Sequence, residues 1–359
     1  MAMNSNLIYL NTASCGLVDE SSINVVDTFN RKLITFSSHA AEELRDAGLP
    51  RIRQTVAKFL NAPAENIALV PNFSYALNAI VQSLRGNEKV MLYRNDYPSV
   101  YEPFRINKFD ISWIEAEDNF EIDIDAIKVE LLSKQIEILV ISHVQWMSGF
   151  QVDVEVLGDF CAQHNIVFIV DATQSMGAVN IDIDKLKADA VIASNYKWMN
   201  AGFGTAVMYM SDDFLLKYPP VIGGNGGYSM VDGEWKYASP IKHYEPGHPN
   251  LHGLLLLEGA INKKLELGMA QIEKYNMHLA KKLVATLAEN GLELLGSTDM
   301  TNRSPIALVK AGEDLQKHLL GDNIVTIYRN GYIRVGVHYY NTEADIEALS
   351  ASLKRYRKP

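Results

Sequence analysis

Between residues 67 and 210 the chain alternates short apolar runs with segments of helical periodicity, and that alternation limits its possible folds more than any other feature. The runs Ile67 to Val70, Val90 to Tyr93, Ile111 to Ile114, Ile136 to His143, Ile166 to Val170, Ala190 to Ala193 and Thr205 to Met210 read as strands. Between several of them, Tyr75 to Leu84, Ile124 to Leu132 and Val154 to His164 read as helices. Strands apolar on both faces and joined by helices form a mostly parallel sheet covered on two sides. The last run follows its predecessor closely, so it is expected to be antiparallel. The fold class is therefore α/β, a seven-stranded mostly parallel sheet.

At 359 residues the chain exceeds one ordinary core. Helical patterns from Ala41 to Leu60, from Leu251 to Leu267 and onward through Leu294 flank the sheet region. Strand patterns near Ile306 to Val309, Ile324 to Tyr328 and Tyr332 to Val337, with a helix from Thr342 to Tyr356, predict a smaller α+β C-terminal domain. Thr342 with Asp345 fits a helix start. The expected division is a large domain over 21–250 and a small one over 251–359, with the N-terminal segment 1–20, which holds a short strand at Leu7 to Leu10, joining the small domain.

In a parallel sheet the carboxyl ends of the strands share one edge, and α/β proteins bind ligands there. Asp171 ends one apolar run and Lys197 follows the next, so an acid and an amine project from that edge. Singly, each reads as well as a surface residue, Asp171 as a helix cap and Lys197 as a solvated cation. Together they suit a pyridine cofactor whose ring nitrogen needs an acid and whose aldehyde needs an amine, which is pyridoxal 5'-phosphate.

The segments Val170-Asp-Ala-Thr-Gln174, Ser194-Asn-Tyr-Lys197-Trp198 and Ile333-Arg334-Val335, with Tyr340-Asn341-Thr342-Glu343, resemble the class V aminotransferase family of fold-type I pyridoxal phosphate enzymes, the cysteine desulfurase-like superfamily. That group includes cysteine desulfurases, alanine-glyoxylate aminotransferases, kynureninases and cysteine C–S lyases. The likeness runs from Tyr9-Leu10-Asn11 to the last helix, with motifs in the family's order. It implies that Lys197 is the Schiff-base lysine, that Asp171 faces the ring nitrogen and that Gln174 hydrogen-bonds the ring hydroxyl oxygen.

Asn72-Phe73-Ser74 matches the phosphate loop at a helix start, where free amides and the dipole favour an anion; Ser74 stands where threonine is usual. Ser194 and Tyr196 match further phosphate contacts, the second commonly histidine. His248 stands where the family often has a threonine that reaches the neighbouring subunit's phosphate. Tyr97 matches the aromatic ring or histidine over the cofactor face. Arg334 matches the arginine that binds the substrate carboxylate bidentately. The loop Asn11 to Gly16 matches one lying over the cofactor near the substrate, which makes Asn11 a substrate-binding candidate. Its small residues would let backbone approach a ligand closely. Where many members carry an asparagine that helps to bind the ring hydroxyl, this chain has Trp146, as does the C–S lyase branch.

A net charge of -10 with no basic block argues against nucleic acid and anionic membranes as partners. Cys15 and Cys161 are the two cysteines, which gives neither a disulfide framework nor a metal-ligand spacing. The first residues lack a signal-peptide pattern, so the cytoplasm is the expected location. Gly223-Gly-Asn-Gly-Gly227 lacks the setting of a nucleotide loop. Persulfide-forming desulfurases need a mobile cysteine in the C-terminal lobe, and none follows Cys161 here. The leading expectation is a class V aminotransferase acting on a small amino acid, with a keto acid as second substrate. A cysteine C–S lyase is the alternative, and a non-catalytic binding module is disfavoured by the intact Lys197 and Asp171. The family builds its site at a subunit interface, which implies a homodimer.

Overall fold

The computed structural model describes residues 7–115, 120–237, 239–296 and 300–356. Strands β1 (Ile8–Tyr9), β2 (Ile67–Val70), β3 (Lys89–Tyr93), β4 (Asp110–Ile114), β5 (Ile138–Ser142), β6 (Val167–Asp171), β7 (Ala190–Ser194) and β8 (Ala206–Met210) occupy the apolar runs within a residue or two of the expected bounds. Seven of them form one sheet in the order β2-β8-β7-β6-β5-β3-β4. β8 runs antiparallel to both of its neighbours, and the remaining pairs are parallel.

Each central strand is buried on both faces because its side chains alternate between two cores. Leu139, Ile141, Phe168, Val170, Val191 and Ala193 enter one core. Ile138, Val140, Val167, Ile169, Ala190 and Ile192 enter the other. Full burial of such a side chain stabilises by about 1.5–3 kcal/mol relative to exposure, so a register shift that moved polar groups inward is strongly disfavoured. The carboxyl ends of β5, β6 and β7 are thereby held level.

The pattern from Ala41 to Leu60 is not one helix. It comprises a helix Ser38–Glu43, a π-helical turn Leu44–Gly48 and a helix Leu49–Leu60. Pro50, in the first turn of the last piece, has no amide to donate, so a continuous ladder cannot pass through it. The Gly-rich stretch likewise contains an unforeseen hairpin, β9 (Tyr228–Val231) and β10 (Glu234–Tyr237). Asp232 and Gly233 form its turn with φ of 55° and 83°, the left-handed geometry that Asp-Gly favours.

The C-terminal region holds β11 (Glu293–Leu295), β12 (Ile306–Lys310), β13 (Ile324–Val325), β14 (Ile327–Arg329) and β15 (Tyr332–Gly336). Four of these make an antiparallel sheet, β11-β12-β15-β14. The expected strand from Ile324 to Tyr328 is split, because β13 turns away to pair with β1. Leu10 of the N-terminal segment packs with Leu279, Leu283, Val335 and Leu349. Thr342 and Asp345 close a reciprocal capping box on the last helix, Glu343–Arg355. The helix Leu251–Leu267 places Leu254, Leu257 and Ile261 in the core of the large sheet. Among the described residues, no helix is long and apolar enough to cross a membrane.

Candidate active site

Register brings Ser142 at the end of β5 beside Asp171 at the end of β6, and Ser194 ends β7 next to them. The helix Phe73–Ser83 points its N-terminus at the same edge. These elements converge on a cleft lined by Asn72, Phe73, Ser74, Tyr97, Ser99, Ser142, Trp146, Asp171, Thr173, Gln174, Ser194, Tyr196 and Lys197.

Asp171 is 5% exposed. Its Oδ1 accepts from the Thr173 amide at 2.8 Å, and its Oδ2 lies 3.4 Å from the Ser142 hydroxyl. Burial raises its proton affinity above the ordinary carboxylate range, the Thr173 contacts oppose that rise, and the nearby Asp96 adds to it. Lys197 is 7% exposed, with Nζ 5.5 Å from the centre of the Tyr97 ring and 5.6 Å from that of Tyr196. Burial lowers its proton affinity, Asp171 pulls in the opposite sense, and the Arg334 and Arg329 guanidiniums lower it further. An amine whose proton affinity is lowered is free, and nucleophilic, at less alkaline pH than an exposed lysine. Trapping of Lys197 by an aldehyde and borohydride, followed by peptide mass spectrometry, is therefore expected to rise with pH below the ordinary lysine range. A profile with an ordinary lysine midpoint would contradict this.

At the helix start, the Asn72 side chain accepts from the Tyr75 amide at 2.8 Å and Ser194 Oγ accepts from the Phe73 amide at 2.9 Å. The Ser74 hydroxyl donates to Ser99 Oγ at 2.8 Å. Tyr196 stacks on Phe203 with centroids 4.8 Å apart. With the Phe73 and Tyr75 amides taken within the chain, this end of the cleft offers an anion the dipole of the helix start and the hydroxyls of Ser194 and Tyr196. His248 lies elsewhere within the chain, with Nδ1 3.2 Å from Arg45 Nη1, in a separate cavity shared with Arg53 and Glu245.

Gln174 donates from Nε2 to the Ala13 carbonyl at 3.0 Å and accepts at Oε1 from Trp198 Nε1 at 2.7 Å. An amide nitrogen carries two hydrogens, so one remains for a ligand. Arg334, on β15, donates from Nη1 to the Trp146 carbonyl at 2.6 Å and from Nη2 to Ser14 Oγ at 2.8 Å. Its Nε is buried without a partner among the described residues, and burial pulls the guanidinium down to about 10. A buried donor left open in this way points to an absent acceptor. Asn11 bridges Gly336, and its Oδ1 is buried and, among the described residues, unpaired; the side chain does not line the cleft.

In the N-terminal loop, packing alone requires a glycine at position 16. Gly16 donates its amide to the Tyr196 carbonyl at 2.8 Å. A Cβ there would stand 2.0 Å from the Lys197 carbonyl oxygen and 2.6 Å from Asn200 Nδ2. Gly16→Ala must displace the backbone that carries Lys197, with an expected loss of about 1–3 kcal/mol. Thermal unfolding should read this loss, and an unchanged melting temperature would refute it.

Sequence spacing assigns no role to several residues around the site. Asp96, Ser142 and Thr173 support Asp171; Ser142 was findable from strand alignment, whereas nothing in the spacing marked Asp96. Arg329 lies over Trp146 at 5.8 Å. Behind Lys197, His338 Nε2 donates to the Trp198 carbonyl at 3.0 Å and Lys264 Nζ donates to Asn200 Oδ1 at 2.7 Å. Both groups come from far along the chain, which sequence spacing does not reveal.

An acid and an amine in one buried cleft, a helix start with hydroxyls beside it, and open donors on Arg334 and Gln174 fit pyridoxal phosphate. The profile of the family described as Aminotransferase class-V matches residues 8–349. A protein named probable cysteine desulfurase from Pyrococcus abyssi is 25% identical, covering 99% of this chain and 96% of its own. The apo cysteine desulfurase of Thermococcus onnurineus NA1 shares the fold with a TM-score of 0.85 at 21% identity, over 97% of this chain and 94% of that one. The cystine C–S lyase C-DES, solved with its product cysteine persulfide, gives 0.86 at 17% identity over 98% of each chain.

Proposed function

Because the chain belongs to the aminotransferase class-V family, whose cofactor is pyridoxal phosphate, we propose that it is a lyase that breaks the Cβ–S bond of a small sulfur-bearing amino acid. The observation that carries the reading is the convergence of Lys197 and Asp171 in one cleft, with Arg334 held against its wall by the Trp146 carbonyl. When bound, pyridoxal phosphate supplies an electron-withdrawing ring that stabilises negative charge at the substrate α-carbon.

The protein's part is binding, orientation and proton transfer. The Phe73–Ser74 helix start, Ser194 and Tyr196 would hold the phosphate, and in a homodimer His248 of a second copy would reach it. Gln174 holds the ring hydroxyl, and Tyr97 flanks the ring. Asp171 keeps the proton on the ring nitrogen. Arg334, oriented by Ser14 and the Trp146 carbonyl, takes the substrate carboxylate and sets the α-hydrogen where Lys197 Nζ removes it. The Cβ–S bond then breaks with its electron pair leaving on sulfur, and hydrolysis of the remaining fragment yields pyruvate and ammonia.

The sulfur is expected to leave on a small molecule. Cys161 is fully buried with its thiol pushed up to about 12, and burial also raises the Cys15 thiol, so neither is poised as a thiolate to accept sulfur. Transamination, the leading expectation from sequence, would use the same residues. The names of the relatives favour the lyase, because they are a cysteine desulfurase and a cystine C–S lyase. L-Cystine and L-cysteine should give sulfide or persulfide with equimolar pyruvate. Amino-group transfer to an added keto acid without sulfur release would replace the lyase by a transaminase.

A further inference from the structure

Asp96 follows β3 in a turn closed by its amide on the Tyr93 carbonyl at 3.2 Å, and it is 3% exposed. A carboxylate so placed needs donors, and this one has four. Its Oδ2 accepts from the Ser142 amide at 2.9 Å and from Gln145 Nε2 at 3.5 Å. Its Oδ1 accepts from the Ser142 hydroxyl at 2.5 Å and from the Tyr97 amide at 2.7 Å.

The same Ser142 hydroxyl lies 3.4 Å from Asp171 Oδ2. A hydroxyl has one proton, and the shorter contact takes it. Asp171 is left with the Thr173 amide and the Thr173 hydroxyl as its donors and with an oxygen lone pair facing its Oδ2. Two buried carboxylates at one hydroxyl do not ionise independently; burial raises the proton affinity of both, and the one with more hydrogen-bond donors keeps the charge. That one is Asp96.

We infer that Asp96 is a positioning residue for Asp171: acting across Ser142, its charge makes Asp171 hold a proton, or a protonated partner, more tightly. Through the Tyr97 amide it also fixes the ring that stands beside Lys197. The other ionisable groups facing the two carboxylates are Tyr93 from β3, Tyr97 from the turn after it, and Tyr196 and Lys197 from the loop after β7. The consequence for chemistry rests on the reading of Asp171 as the partner of a ring nitrogen; the coupling of the two carboxylates does not.

The test uses the full chain labelled with carboxyl-13C aspartate and titrated by NMR without cofactor, in the native protein and in Asp96→Asn and Asp96→Glu. The native Asp171 curve should have two steps, since coupled groups report each other's titration. Asp96→Asn should lower the Asp171 midpoint by about one pH unit or more, and Asp96→Glu, which keeps the charge, should restore it. In the holoenzyme, the 15N shift of the labelled cofactor ring nitrogen should show it losing its proton at lower pH in Asp96→Asn, with kcat down about tenfold and KM little changed. An Asp171 midpoint that Asp96→Asn leaves in place overturns the inference. If that variant does not fold, a single-step native curve at an ordinary carboxylate midpoint overturns it. A moved Asp171 midpoint with an unmoved ring nitrogen shift would uphold the coupling and defeat the proposed role of Asp171.

Discussion

Lys197→Ala is expected to lower turnover about ten-thousand-fold, the upper range for loss of a positioned acid–base group. The structure leaves few substitutes: the nearest rings, Tyr97 and Tyr196, are held 5.5 and 5.6 Å from Nζ, and burial pushes the Tyr196 phenol up to about 12. Neither phenol supplies a primary amine for an aldehyde. Cofactor uptake should persist, because the phosphate and ring contacts come from other residues. The check is steady-state turnover alongside the absorbance of bound cofactor, with added methylamine restoring part of the rate. Retention of more than a tenth of the native rate would remove Lys197 from the chemistry.

Arg334→Met should lower kcat/KM for amino acid substrates by about two to three orders of magnitude, since losing a buried charged partner of a carboxylate costs about 2–5 kcal/mol. The same change should not weaken the fold in proportion. The guanidinium is buried, with Nε unpaired among the described residues, so an apolar side chain of similar length removes an unfavourable burial that offsets the lost bonds to Trp146 and Ser14. The melting temperature is expected to hold or rise. A second sign follows from charge. Arg334 lowers the proton affinity of Lys197, so its removal should move the pH profile of Lys197 trapping to higher pH. A large fall in melting temperature with unchanged kcat/KM would mark Arg334 as a structural residue only.

Much of the sheet was legible because strand burial is written locally. Val167 to Asp171 and Ala190 to Ser194 are apolar at every interior position, as strands covered on both faces must be. Polar side chains then appear where each strand leaves the core, which is how Asp171 and Lys197 stood out. The hairpin at Asp232-Gly233 was also marked by its turn residues, but the surrounding glycines obscured the signal. The π-helical turn before Pro50 was not legible, because a helical apolar pattern survives a local break in the hydrogen-bond ladder.

From sequence alone came the alternation that sets a covered, mostly parallel sheet, the edge at which a ligand binds, and the acid and amine placed there. Periodicity and strand ends are short-range properties, so neighbouring residues encode them. Only the tertiary structure decided that Asp96 shares the Ser142 hydroxyl with Asp171, that Gly16 makes room for the Lys197 backbone, and that Ser14 and Trp146 orient Arg334. Those contacts join residues tens to hundreds of positions apart, and packing of whole elements, not local preference, determines which side chains meet.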